Sequence, residues 1–124
     1  MSKYHNNVTV TSDGIKHASQ KEATRWCELK LLERAGKITG LERQVEFELV
    51  PAQYESYERH SKRGENLGYG MRVAERKVSY IADFVYTDEN GRKVVEDTKG
   101  VRTKDYIIKR KLMRYMWGIA IKEI

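Results

Sequence analysis

Apolar residues recur at helical spacing between residues 19 and 35, where Ala23, Trp26, Cys27, Leu29, Leu31, Leu32 and Ala35 form a stripe wide enough to pack on a sheet. Ser19 and Glu22 have the spacing of a capping box, which predicts Ser19 as the N-cap, and Gly36 closes the helix. Leu41 to Val50 alternates instead, with Val45, Phe47 and Leu49 on one face and Pro51 as a stop, the pattern of a strand. Val73 to Tyr86 reads as one long strand and Arg92 to Lys99 as its hairpin partner. Thr103 is placed to cap a second helix reaching about Trp117, with Ile108, Leu112 and Tyr115 facing inward and Gly118 ending it. Ile119, Ala120 and Ile121 suggest a short final strand.

These elements run αβββαβ, which predicts an α/β fold: a mixed sheet of about four strands flanked by helices, with acidic residues clustered at one edge. Residues 1–17 are polar, with Asp13-Gly14 as a turn signal, and read as an arm or short hairpin. Residues 52–70 read as a long polar loop, of the length that is usually functional or mobile. No repeat or composition break divides residues 1–124, so a single domain is expected.

Composition narrows the class. Forty per cent of the 124 residues are apolar, enough for one compact core, and no apolar run is long enough to span a membrane. The N-terminus lacks the apolar stretch of a signal peptide, so a cytoplasmic protein without membrane partners is expected. A net charge of +6 favours polyanionic partners, nucleic acid above all, although basic proteins are common. The single Cys27 excludes an internal disulfide and reads as a small core residue.

The chemistry concentrates in Ile81-Ala82-Asp83-Phe84-Val85, a turn, and Val94-Val95-Glu96-Asp97-Thr98-Lys99-Gly100. Residues two apart on a strand share a face, so Asp97 and Lys99 project together, as do Ile81, Asp83 and Val85. The register of the hairpin decides whether the two faces coincide. Asp88-Glu89-Asn90-Gly91-Arg92 suits a type I turn with Gly91 in the left-handed region, which pairs Asp88 with Arg92 and sets Asp83 opposite Asp97. A two-residue Asn90-Gly91 loop would instead set Asp83 opposite Thr98, and the site would collapse. Facing carboxylates repel unless a cation lies between them, and a hard divalent ion such as Mg²⁺ suits oxygen ligands.

An acid on a helix, an Asp before a hairpin, and Asp-x-Lys after it resemble the PD-(D/E)xK nuclease superfamily, here as Glu22, Ala82-Asp83 and Asp97-Thr98-Lys99. The αβββαβ order is also similar to that superfamily's restriction-endonuclease-like core. HASQKEATRWCELKLLERAGKI, LERQVEFEL, YIADFVY and VVEDTKG further resemble a phage-encoded family of small nuclease-like proteins. The resemblance covers most of the chain except residues 52–72. It implies Mg²⁺-dependent cleavage of DNA, with Mn²⁺ able to substitute and branched DNA as one substrate, as in Holliday-junction resolvases. It also implies a homodimer as one arrangement, and the host cell cytoplasm as location. In this reading Glu22, Asp83 and Asp97 hold the metal and Lys99 serves the attacking water. Ala82 stands where the superfamily motif has Pro, and Glu96 competes with Asp97 as second ligand but falls on the opposite face from Lys99.

Each residue also has a plainer reading. Asp83, Asp97 and Lys99 could form an exposed salt-bridged face, and Glu22 could only complete the capping box. Lys104, Lys109, Arg110, Lys111 and Arg114 would ordinarily be a solvated helix face, but in a DNA-binding protein they are the natural phosphate contacts. Gln44 is a candidate backbone contact. His5, His17 and His60 lack metal-ligand spacing and read as surface residues, and Gly64, Gly68 and Gly70 lack the Lys-Ser/Thr of a phosphate loop. The competing functions are a non-catalytic DNA-binding accessory protein and an RNase.

Overall fold

The computed structural model describes residues 8–98 and 101–124. Two short strands, β1 (Thr9–Val10) and β2 (Lys16–His17), form an antiparallel pair ahead of helix α1 (Gln20–Arg34). Strands β3 (Thr39–Val50), β4 (Gln53–His60), β5 (Asn66–Glu75), β6 (Val78–Thr87) and β7 (Lys93–Asp97) follow, then helix α2 (Lys104–Trp117) and strand β8 (Lys122–Glu123). The main sheet has the order β3-β6-β7-β8, with two antiparallel pairings and a parallel β7–β8 pairing, and is therefore mixed. Its elements taken with the helices run αβββαβ, and β4–β5 is a separate two-stranded ladder inserted between β3 and β6.

Local signals fix both helices. Ser19 is extended and its hydroxyl accepts a hydrogen bond from the Glu22 backbone, while Thr103 does the same for Tyr106. Gly118 ends α2 in the left-handed conformation, where a side chain would be strained. Helix α1 packs Trp26 and Leu29 against Ile38, Phe84 and Tyr86. Helix α2 packs Tyr106 and Met113 with Phe47, Leu49, Tyr80, Ala82, Val85 and Val95.

The two cores expose an irregularity that matters for the site. Arg43 lies opposite Phe84 and Val45 opposite Ala82, yet Phe84 belongs to the α1 core and Ala82 to the α2 core. Residues two apart on a regular strand share a face, so β3 and β6 both turn over between these pairs. Gln44 has φ 52°, the single positive φ outside glycine among the described residues, and it supplies the turnover in β3. Asp83 occupies the matching position in β6.

Several sequence expectations are corrected. Residues 52–70 are not a loop: most of them form β4 and the start of β5. Their exposure on both faces removed the alternation that marks a half-buried strand. The long strand expected from Val73 to Tyr86 is broken at Arg76-Lys77, its two halves serving different ladders. Cys27 is exposed, because α1 buries only the narrower stripe through Ala23, Trp26 and Leu29. Helix α2 is rotated from expectation: Tyr106 and Met113 are buried, Leu112 is half-buried, and Ile108 and Tyr115 are exposed. The final strand begins at Lys122, after Ile119-Ala120-Ile121. His17 is buried rather than at the surface, packed beside Trp26.

Candidate active site

The turn between β6 and β7 fixes the register. The Asp88 N–H donates to the Arg92 carbonyl at 2.9 Å, the Gly91 N–H donates to the Asp88 carbonyl at 3.0 Å, and Gly91 has φ 77°. The Asp88 carboxylate accepts from the Asn90 and Arg92 N–H groups, both at 2.9 Å, holding the loop closed. The ladder then pairs Thr87 with Lys93 and continues to Phe84 with Glu96. The ladder ends there, one residue short of Asp83 and Asp97, and Asp97 pairs on its other side with Glu123 of β8.

The two carboxylates are held by different partners. Asp83 Oδ2 accepts from the Thr98 N–H and the Thr98 hydroxyl, both at 2.8 Å. Among the described residues, its Oδ1 receives a single long 3.5 Å bond, from Gln44 Nε2. Asp97 is buried, and its Oδ2 accepts from the Tyr80 hydroxyl at 2.5 Å. Burial, then the hydrogen bond to Asp97, pushes the Tyr80 pKa far above the ordinary tyrosine range, so the phenol stays protonated as a donor.

Glu22 reaches the same end of the sheet. Its backbone N–H serves the Ser19 cap, but its carboxylate is buried and accepts from Gln44 Nε2 at 3.1 Å. His17 Nδ1 lies 3.7 Å and an Arg43 guanidinium nitrogen 3.9 Å from Glu22 Oε1. One amide group on the positive-φ residue thus spans Glu22 and Asp83. Glu96, the rival second acid, faces α1: both its oxygens accept from Arg25 at 2.7 Å and Tyr86 donates to it. Burial opposes its ionisation, but Arg25 and Tyr86 outweigh burial and hold its pKa below the usual carboxylate range. Glu96 is thereby committed to joining α1 to the sheet.

Lys99 lies outside the described residues. On α2, Lys104, Lys111 and Arg114 are exposed, while Lys109 is half-buried and lines a pocket of about 260 Å³ beside Tyr80 and Ile81. Arg110 is engaged internally, 2.9 Å from Glu123 and over the Tyr106 ring. The structure therefore links Glu22, Gln44 and Asp83 by hydrogen bonds, holds Asp97 separately through Tyr80, and leaves Lys104, Lys111 and Arg114 exposed on α2. Sequence reasoning missed Tyr80, Thr98, His17 and Arg43. Thr98, between Asp97 and Lys99, was the only one the motif could have singled out.

The donor set is all oxygen and suits a hard divalent ion. Among the described residues, however, no group of three or more His, Cys, Asp or Glu side chains is spaced to hold one. Mg²⁺ commonly uses one or two carboxylates and completes its shell with water and phosphate, an arrangement the weakly held Asp83 Oδ1 leaves room for.

Among the described residues no helix is long and apolar enough to cross a membrane. No curated protein and no solved structure matches the chain. The match of residues 1–122 to the family described as "Protein of unknown function (DUF1064)" covers nearly the whole sequence, and the chain belongs to that family.

Proposed function

We propose that this protein is a metal-dependent endonuclease that hydrolyses DNA phosphodiester bonds, with Asp83 and Asp97 as ion ligands, Glu22 as the helical acid and Lys99 beside the attacking water. The observation that carries the reading is the hydrogen-bonded chain from the buried Glu22 through Gln44 to Asp83, whose other oxygen is held by Thr98 next to Asp97, at the point where both β3 and β6 turn over. Burial of the Glu22 acid supports it further: burial costs stability that the hydrogen bond from Gln44 offsets only in part, and a role in the site accounts for keeping an acid there. When bound, the ion would polarise a phosphate and make hydroxide available near neutral pH. The protein's own part is orientation: Thr98 fixes Asp83, Tyr80 fixes Asp97, and Gln44 couples Glu22 to both strands. The exposed Lys104, Lys111 and Arg114 would neutralise DNA phosphates flanking the site, with Lys109 at its margin.

A second reading, a DNA-binding protein that does not cut, is favoured by one observation: the acids do not converge as a trio. Incubation with linear, nicked and four-way-junction DNA, and with RNA, in Mg²⁺, Mn²⁺ or EDTA separates the two. The nuclease reading expects cleavage that EDTA abolishes, and the substrate panel reads the preference for branched DNA. Binding without cleavage in either metal would establish the accessory role.

A further inference from the structure

We propose that one face of the β4–β5 hairpin is the surface through which two copies of this chain associate. Beyond pairing with each other, its strands pack substantially on no other described element, so the hairpin projects from the fold. Its two faces differ. On one, Glu55 and Arg72 form a 2.7 Å ion pair, Arg72 stacks over the Tyr57 ring, and Tyr57 covers Gly70. That face satisfies itself.

The other face is built from the pairs Tyr54–Val73, Ser56–Met71 and Glu58–Tyr69. Tyr54, Tyr69, Met71 and Val73 remain 62, 69, 67 and 49% exposed, an apolar stripe with small Ser56 near its centre. An isolated two-stranded hairpin is marginal in water, and such a stripe normally finds cover. Together the four side chains expose about 500 Å², within the size of patches that mark interaction sites.

The occupant follows from area and charge. Two copies meeting through this stripe would bury about 1,000 Å² in total, the lower bound for a specific interface. A two-fold arrangement needs only one self-complementary patch, and antiparallel hairpins would set Met71 near its own copy with Tyr54 and Val73 against the copy's Tyr69. Nucleic acid is a poorer fit, because this face carries no Lys or Arg and includes Glu58, bonded to His60 at 3.2 Å. The inference stands on the hairpin alone and is independent of the nuclease reading.

Analytical ultracentrifugation of the full chain without DNA tests it. The wild type is expected to dimerise reversibly below about 100 µM. Met71→Glu should be monomeric across that range, and Tyr54→Ser, which adds no charge, should raise the dimer dissociation constant at least about tenfold. Glu55→Gln, on the opposite face, should leave it unchanged. A monomeric wild type, or dimerisation unaffected by both Met71→Glu and Tyr54→Ser, overturns the proposal. So does a monomer whose DNA affinity falls on Met71→Glu, which would assign the face to nucleic acid.

Discussion

The Tyr80 hydroxyl donates a 2.5 Å hydrogen bond to Asp97, joining residues 17 apart in the chain inside the α2 core. Tyr80→Phe keeps the ring and removes the donor, so a buried carboxylate loses a hydrogen bond. The expected cost is about 1–3 kcal/mol in urea unfolding. Cleavage should change as well, since Asp97 would no longer be held in one orientation. A variant as stable and as active as wild type would show that this bond does not set the position of Asp97.

Burial, together with neighbouring acids, raises the pKa of three tyrosines: Tyr86 and Tyr106 to about 12, and Tyr80 further. A pKa higher in the folded than in the unfolded state means that the folded protein retains the proton longer. The resulting stability is fully present below pH 10, the ordinary tyrosine value, and is lost as pH rises through the folded values. Unfolding free energy should therefore fall above pH 10, and Tyr86→Phe should flatten that fall by up to about 1.4 kcal/mol per pH unit. Melts between pH 8 and 11.5 would read it.

Arg25 and Glu96 fasten α1 to β7. Arg25→Ala leaves a fully buried carboxylate without its partner and should cost about 3–5 kcal/mol. Because the folded Glu96 pKa is depressed, its contribution is present above its ordinary value of 4.5 and is lost as pH falls through the lower folded value. The difference between wild type and Arg25→Ala should accordingly shrink in acid, as followed by urea melts from pH 7 to 3.

Three substitutions separate chemistry from binding. Asp97→Asn can still accept from Tyr80, so it should fold, yet cleavage should fall by orders of magnitude while DNA affinity holds. Lys99→Ala should also abolish cleavage. Glu22→Gln keeps the backbone cap to Ser19, which uses the main-chain N–H, so its melting temperature should barely move as activity drops. Robust Mg²⁺-dependent cutting by all three would refute the site.

Gln44→Gly tests whether strain is retained for function. Glycine accepts φ 52° without the penalty of about 1 kcal/mol that a side chain meets there, so stability should hold or rise despite glycine's entropy cost. Loss of the amide that links Glu22 to Asp83 should nevertheless lower cleavage. Equal activity with higher stability would make Gln44 incidental to the site.

For DNA binding the cations to remove are Lys104, Lys111 and Arg114, which are exposed. Arg110 is a poor choice because its loss would also remove one of the two arginines that pair with Glu123. The triple Ala variant should weaken binding and flatten the log–log salt dependence by about 0.9 for each lost phosphate contact. An unchanged slope would move the DNA path to another face.

What the sequence by itself determined is local. Ser19, Thr103 and Gly118 set helix ends through bonds spanning three or four residues, and Asp88 to Arg92 set the hairpin register through one five-residue turn. Such signals need no knowledge of what packs where. The tertiary structure decided which faces are covered. It turned Glu22 from a cap toward Gln44, brought Tyr80 to Asp97, buried His17, and gave Arg25 to Glu96, all between residues far enough apart that no period relates them. It also rotated α2 and inverted the faces of β3 and β6 at Gln44 and Asp83. Strand alternation assumes an unbroken pleat, so one positive φ reverses every face beyond it, and the sequence alone carries no mark of that reversal.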